Sequence, residues 1–296
     1  MPTLEDIKGK IKTAQDLHSL VKTMKALAAV SIRQYEQAVK ALRDYFHTVE
    51  LGFQVIIQNQ PRDMPLVIKP GPSPYLGAVV FGSDQGMCGQ LNEQIFTHTI
   101  ETLDGLGYDR QHRKILAVGL RLADRLSGAG EVVDHYVPVP ASAEGIGSQV
   151  RKILSELERW GAHKIHRVIL IYSRHLGGAS YLPHTQHFLP VEEWWLETFK
   201  EKKWPTRVLP TFTMPWERLL PALIHQHLFV SLYRAFAESL ASEHASRLAS
   251  MQGAERNIEE RLAELTALFN RQRQMSITEE LLDIVAGFTA LTEQQQ

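Results

Sequence analysis

The chain has 296 residues, of which 44% are apolar and 22% charged, and its formal net charge is −1 at pH 7. This balance is ordinary for a globular protein, and it argues against nucleic acid or an anionic membrane surface as a direct partner. The single cysteine, Cys88, excludes an intrachain disulfide and suits a reducing compartment. The first residues are charged and show no apolar signal region, and apolar runs such as 168–172 are too short to span a bilayer.

The first predicted element is a long amphipathic helix over residues 1–58. Apolar side chains recur in two heptad seams from residue 4 to residue 56, and the only polar seam positions are His18 and Lys25. Thr3 is the expected N-cap, followed by acidic residues that favour a helix N-terminus. Residues 59–74 are then predicted to be a linker because proline removes backbone donors; the prolines are Pro61, Pro65, Pro70, Pro72 and Pro74.

Residues 75–215 alternate between strand-like and helix-like patterns. Strand–helix alternation implies right-handed crossovers and a mostly parallel, doubly wound sheet. The segment 192–215 is rich in tryptophan and lysine without a clear period, and is interpreted as a loop. The predicted strands are 76–81, 114–118, 132–137, 167–172 and an edge strand at 184–189, and the predicted helices are 90–106, 120–126 and 147–160.

Residues 216–296 form the longest predicted helix. Apolar residues recur every three or four positions, and the only residues that disfavour a helix are Pro221, Gly253 and Gly287. A helix of this length would extend about 110 Å and needs a partner helix along much of it. The sequence therefore predicts an antiparallel coiled coil of the two terminal helices, with the α/β body inserted between them. The C-terminal apolar run is longer by about 20 residues, so its end is expected to project roughly 30 Å beyond the first helix.

The loop 82–89 is the most suggestive candidate for chemistry, because glycines between a strand and a helix admit phosphate. The loop lacks both GxGxxG and the GK[ST] ending of a phosphate loop, so a structural turn is the alternative. Cys88 is either a nucleophile activated by a nearby histidine or a small buried residue. No paired carboxylates or serine triad stand out in the sequence.

Three histidine pairs have metal-like spacing, but none has a second ligand cluster near it in sequence. They are His163 with His166, His184 with His187, and His225 with His227. Near the C-terminus, Arg271, Arg273 and Gln274 precede the segment 276–280. Such groups on one helix either bind carboxylates through bidentate hydrogen bonds or form a solvated face.

Three stretches, in order and spread over the whole chain, are similar to the gamma subunit of rotary F-type ATP synthases. They are VKTMKALAA at 21–29, SDQGMCGQLN at 83–92, and ASEHASR at 241–247 with FNRQRQMSITEELLDIVAG at 269–287. The chain departs from the family pattern at Ser31, Gln90, Gln272 and Phe288. These departures point to a variant branch, such as an alternate bacterial or archaeal operon type. The cysteine pair of the chloroplast form is absent.

The resemblance implies an α/β fold with a long antiparallel coiled coil and an inserted Rossmann-like body. It implies a non-catalytic central rotor stalk without cofactor or metal, at the cytoplasmic face of a bacterial or archaeal plasma membrane. The implied partners are the alpha and beta subunits of the catalytic hexamer, the epsilon subunit and the membrane c ring. A coiled-coil adaptor with an α/β module, and a small nucleotide-binding enzyme that uses the loop 82–89, are the alternatives.

The resemblance also implies roles for individual residues. Arg273, Gln274 and Thr278 are the expected hydrogen-bonding set toward a beta-subunit loop. Met24 and Lys25 are expected to lie opposite that region of the C-terminal helix. Phe212 falls where the family has an aromatic residue that contacts the c ring.

Overall fold

The computed structural model describes residues 3–59, 73–178, 180–205, 207–208 and 210–293. It contains two very long terminal helices, α1 (Leu4–Gln58) and α6 (Trp216–Glu293). Between them lie the strands β1 (Leu76–Phe81), β2 (Arg113–Val118), β3 (Val133–Val137), β4 (Arg167–Gly177) and β5 (Ser180–Leu189), and the helices α2 (Leu91–Gly105), α3 (Leu120–Gly128), α4 (Ala143–Ala162) and α5 (Glu193–Glu201). In the described residues, no helix combines the length and the apolar character that crossing a membrane requires.

The five strands form one sheet in the order β3-β2-β1-β4-β5. The pairs β3–β2, β2–β1 and β1–β4 are parallel, and only the edge strand β5 is antiparallel, on β4. The parallel pairs follow from helical crossovers, whereas β5 begins three residues after β4 ends, which suits an antiparallel pair. This confirms the predicted α/β class with a mostly parallel sheet.

The two faces of the sheet bury separate cores because side chains alternate along each strand. Val79 and Phe81 face one core, which α4 and part of α6 complete with Ile153 and Phe236. Alternate residues of the same strands face α2 and α3 on the other side of the sheet. A third cluster joins the end of α1 to α5 and the start of α6.

The chain divides into two compact units, Met1–Leu27 with Ala249–Gln296, and Ala28–Leu248. Both divisions fall inside the long helices, whereas the domain limits predicted from sequence follow the ends of secondary-structure elements. Within each unit α1 and α6 run antiparallel. In the first unit, His18 and Lys25 pair with Glu259 and Glu255.

In the second unit, the order of contacts along the two helices is again reversed. The ring of Tyr35 stacks on His244 with the centroids 5.6 Å apart, and Phe46 meets His227. Further along α1, the indole of Trp216 donates to the carbonyl oxygen of Ile56. The predicted antiparallel pairing of the terminal helices is therefore confirmed.

The start of α1 has the predicted cap. The Thr3 hydroxyl accepts a hydrogen bond from the Asp6 amide at 3.2 Å, and the Asp6 carboxylate accepts one from the Thr3 amide at 3.0 Å. This reciprocal pair is a capping box that satisfies two backbone donors. The hydrogen bond from the Thr3 backbone lowers the pKa of Asp6.

One secondary-structure prediction is wrong and one falls largely outside the described residues. The segment 192–215 was expected to be a loop, yet it contains α5, which buries Leu196 and Phe199 against α1 and α6. Strands β4 and β5 are also longer than predicted, because they form a hairpin whose outer end extends past the sheet. Most of the predicted linker 59–74 lies outside the described residues.

Candidate functional site

The loop 82–89 after β1 is held by hydrogen bonds from its own neighbourhood. Asn92, in the first turn of α2, accepts from the Ser83 amide at 3.1 Å and donates to the Ser83 hydroxyl at 2.7 Å. The Asp84 carboxylate accepts from the amides of Leu120 and Val139, each at 2.8 Å, and from the hydroxyl of Tyr136. Asp84 therefore links the loop after β1 to the start of α3 and to the C-terminal end of β3.

The same loop is tied to α6 by side chains of that helix. Ser246 donates to the carbonyl oxygen of Cys88 at 2.6 Å, and Arg247 donates to the carbonyl oxygen of Gly86 at 3.4 Å. Arg247 also pairs with Glu243 at 2.7 Å, and both residues are buried. Burial raises the pKa of Glu243 because desolvation disfavours the carboxylate.

These contacts favour a structural turn over a phosphate site. A phosphate cradle needs outward-facing backbone N–H groups and a cation nearby, whereas here the Arg247 guanidinium meets the loop's carbonyl oxygens. Cys88 is 2% exposed, and its sulfur lies 3.5 Å from the Ser83 hydroxyl. The surroundings are those of a small buried residue rather than an activated thiol.

Arg273, Gln274 and Thr278 all lie on the exposed C-terminal part of α6. The Thr278 hydroxyl donates to the carbonyl oxygen of Gln274 at 2.8 Å, which confirms that these two residues share one helix face. Within the described part of the chain, the Arg273 guanidinium makes no hydrogen bond or ion pair. The structure thus brings Gln274 and Thr278 together and leaves Arg273 available to a partner.

Met24 and Lys25 do not lie opposite that region. Lys25 forms an ion pair with Glu255, and Glu255 precedes Arg273 by 18 residues (273 − 255). This separation corresponds to about 27 Å along a helix. The predicted register was wrong because the motif gave both stretches without the pairing between them. Met24 is half-buried, and Phe212 is 37% exposed in the loop before α6.

Sequence reasoning missed the acidic partners of the two polar seam residues. His18 Nε2 lies 3.3 Å from Glu259, and Lys25 pairs with Glu255 one turn earlier on α6. The hydrogen bond from Lys25 lowers the pKa of Glu255. The only signal in the sequence was the spacing of four between the two glutamates, which places them on one face.

Side chains of the same cluster form the one group among the described residues that could hold a metal ion. There, one group of three metal-binding side chains lies within 4.8 Å, namely His18, Glu255 and Glu259. The ammonium group of Lys25 already neutralises Glu255. None of the three histidine pairs suggested by spacing belongs to this group.

Known proteins match this chain over nearly its whole length. The family profile described as ATP synthase matches residues 3–291. The ATP synthase gamma chain of Nitratidesulfovibrio vulgaris (strain Hildenborough) is 28% identical over 303 residues, covering 98% of this chain and 99% of the relative. The ATP synthase gamma chain of Thermosynechococcus vestitus is 28% identical over 322 residues, covering 98% and 100%.

Solved structures show the same fold at lower identity. A chain of the Euglena gracilis mitochondrial ATP synthase, solved as OSCP/F1/c-ring, aligns with a TM-score of 0.65 and 18% identity over 99% of this chain and 96% of that one. A chain of the Tetrahymena thermophila central stalk and c ring aligns with a TM-score of 0.58 and 21% identity, over 79% and 99%.

Proposed function

This chain belongs to the family of ATP synthase gamma chains, and from that premise we propose that it is the central rotor stalk of an F-type ATP synthase or ATPase. In this role it carries torque between a membrane ring of c subunits and a catalytic hexamer of alpha and beta subunits. Rotation of an asymmetric shaft would change the states of the catalytic sites in turn and so couple ion translocation to ATP synthesis or hydrolysis.

The exposed C-terminal stretch of α6 carries the proposal. Its aliphatic side chains are open to solvent in the free chain, with Leu281 57%, Leu282 62% and Ile284 68% exposed. Exposed apolar surface of this kind indicates a protein interaction site. A sleeve formed by other subunits would cover it, as the proposed position inside the alpha and beta hexamer requires.

The proposed contacts follow the family motif. Arg273, Gln274 and Thr278 would hydrogen-bond a beta-subunit loop during part of each turn. The guanidinium of Arg273, which has no partner among the described residues, supports this assignment. Phe212 would meet the c ring, with the epsilon subunit beside the α/β body. The subunit would be peripheral to the cytoplasmic face of a bacterial or archaeal plasma membrane.

We further propose that the subunit is not itself catalytic. The glycine-containing loop 82–89 offers carbonyl oxygens to Arg247 and Ser246 and a carboxylate that already accepts three hydrogen bonds. This arrangement supports a role in joining the body to α6. In the assembled complex, the nucleotide sites would belong to the partner subunits.

Copurification tests the proposal most directly. The tagged full chain, coexpressed with the alpha and beta subunits of the same organism, is expected to elute as one complex that hydrolyses ATP, whereas the chain alone does not. Leu281→Asp should reduce recovery of the complex by placing a charge in the apolar contact. Asp283→Asn, about 200° round the helix, is the matched control.

Two results would contradict the proposal. One is that the chain elutes without the alpha and beta subunits under conditions in which those subunits are folded. The other is that Leu281→Asp assembles as efficiently as Asp283→Asn, because the apolar face of α6 would then not be the contact.

A further inference from the structure

A cavity of about 410 Å³ lies inside the unit Ala28–Leu248. Its walls come from α1, β5, α5 and α6, and from the short connection between β5 and α5. This volume falls within the range of small-molecule sites. Neither the loop 82–89 nor the exposed C-terminal stretch of α6 contributes a residue to the described lining, and the proposed function does not use the cavity.

Aromatic rings dominate one side of the cavity. Trp194 and Trp195 of α5 both line it, together with Phe46 of α1 and Phe188 of β5. The Trp195 ring lies 4.3 Å from the ring of His227, which holds it in place, while Trp194 is 63% exposed. Flat apolar walls of this kind favour a planar ring, which can stack or meet an edge.

Helix α6 contributes polar groups to the same cavity. Ser231 is 6% exposed and lines it, yet its hydroxyl makes no hydrogen bond with any described residue. Arg234, one turn further, donates from Nε to Glu238 at 2.7 Å. Its two terminal nitrogens make no hydrogen bond within the described ranges. The side chain of Arg234 is 50% exposed, so its terminal nitrogens can be reached by a molecule in the cavity.

A second guanidinium reaches the cavity from the opposite helix. Arg43 of α1 lines it and forms no ion pair among the residues described. Among the described lining residues one is acidic, Glu192, and it accepts a hydrogen bond from the indole of Trp194. Burial lowers the pKa of His227 to about 4, so its ring is neutral at pH 7 and adds no charge. The charge of Arg234 is thus offset by Glu238, the Glu192 carboxylate is already hydrogen-bonded, and Arg43 keeps its charge without an ion pair among the described residues.

We propose that this cavity binds a small aromatic carboxylate. The ring would lie against the indoles of α5, and the carboxylate would accept two parallel hydrogen bonds from the terminal nitrogens of Arg234, because a guanidinium edge matches a carboxylate. The Ser231 hydroxyl would donate a further hydrogen bond, and Arg43 would add a second positive charge.

Binding of 2-naphthoate to the full chain tests the proposal. The expected result is saturable quenching of tryptophan fluorescence and a matching heat in calorimetry, because Trp194 and Trp195 contact the ligand. The neutral analogue 2-naphthylmethanol should bind at least about tenfold more weakly, since it cannot form the charge-assisted pair. Arg234→Gln should weaken naphthoate binding by a similar factor.

Two exposed arginines provide a second test variant and its control. Arg43→Gln changes an exposed residue and is expected to weaken naphthoate binding several-fold without altering the thermal melt. Arg159→Gln, an exposed arginine of α4 outside the cavity, is the matched control and should leave the affinity unchanged. Linear uptake without saturation, equal affinity for the alcohol, or unchanged affinity in both Arg43→Gln and Arg234→Gln would each overturn the assignment.

Discussion

The hydroxyl of Ser246 donates a hydrogen bond of 2.6 Å to the carbonyl oxygen of Cys88, although the two residues are 158 positions apart. Both are buried, at 6% and 2% exposure. The backbone of the loop after β1 is therefore attached to α6. Because the acceptor is a backbone oxygen, the contact does not depend on the side chain at position 88. Arg247, the next residue of the stretch 241–247, also donates to this loop, at the carbonyl oxygen of Gly86.

Ser246→Ala should destabilise the chain by about 0.5 to 1.5 kcal/mol, because the hydrogen bond to the carbonyl oxygen of Cys88 is lost, while that oxygen keeps the Leu91 amide as a donor at 3.3 Å. Urea denaturation followed by circular dichroism measures the change. Ser155→Ala, on the exposed side of α4, is the control and should change the free energy of unfolding by less than about 0.5 kcal/mol. Equal stability of the two variants would show that water replaces the hydroxyl.

His244 is expected to make the chain less stable in mild acid. Burial, with a smaller contribution from Arg247, lowers its pKa from 6.5 to about 4. Between these values the unfolded chain binds a proton that the folded chain does not, so stability falls as pH drops through this window. By pH 5 the loss from this residue amounts to about 2 kcal/mol.

His244→Phe keeps a ring against Tyr35 but cannot titrate. The variant should therefore lose about 2 kcal/mol less stability than the parent between pH 7.5 and pH 5. Denaturant titrations at both pH values give the comparison, with the exposed His47→Gln as control. Parallel losses in the parent and in His244→Phe would mean that the imidazole is protonated in the folded state.

The ion pair of Lys25 and Glu255 should give the coiled coil a different acid sensitivity. The hydrogen bond from Lys25 lowers the pKa of Glu255 below 4.5, so the stabilisation is present above that pH and is lost as pH falls through the folded value. Glu255→Gln should melt below the parent at pH 7, and the two melting temperatures should converge near pH 3. High salt should also narrow the gap, since the pair is partly exposed.

Glu260→Gln provides the control for this pair because Glu260 is exposed on the same helix. It should follow the parent at every pH. A gap between Glu255→Gln and the parent that persists at pH 3 would assign the effect to packing of the glutamate side chain rather than to its charge.

Arg273→Ala should slow ATP turnover of the assembled complex by roughly tenfold to a hundredfold, because a shielded charge-assisted hydrogen bond contributes about 1.5 to 3 kcal/mol. Thr278→Val should act in the same direction. The thermal melt of the free chain should change little, since both residues are exposed. Steady-state hydrolysis by reconstituted complex is the measurement, with Arg261→Ala as an exposed arginine control on the same helix.

If Arg273→Ala and Thr278→Val both retain full turnover, these residues do not contact the beta subunit in the slow step. A melt that collapses in either variant would instead assign the residues to the stability of α6. Reduced turnover in Arg261→Ala as well would indicate a general electrostatic effect rather than a contact at Arg273.

Much of the fold was predictable because it depends on local periodicity. The heptads predicted both terminal helices, and the strand–helix alternation predicted the mostly parallel sheet. Helix α5 was missed because only Leu196 and Phe199 are buried along it, and nine residues carry too few apolar repeats to establish a period. The neighbouring tryptophans did not indicate a helix either, because aromatic residues occur in loops that pack on a core as well as in helices.

Pairings between distant residues were not predictable from spacing. His18 and Lys25 looked like defects in an apolar seam, and only the fold shows that Glu259 and Glu255 face them. The same limitation placed Lys25 opposite the wrong part of α6. The set at Arg273, Gln274 and Thr278 was identified from a motif on one helix, which does not depend on knowing the partner helix's register.

The contact between Lys25 and Glu255 joins residues that are 230 positions apart. At a synthesis rate of about 5 to 20 residues per second, Lys25 leaves the ribosome roughly 10 to 50 s before its partner. During that interval the apolar seam of α1, including Ile7 and Val21, has no helix to cover it. Nascent chains of this protein should therefore depend on a chaperone that holds the first helix, and aggregation during synthesis should begin at its N-terminal seam.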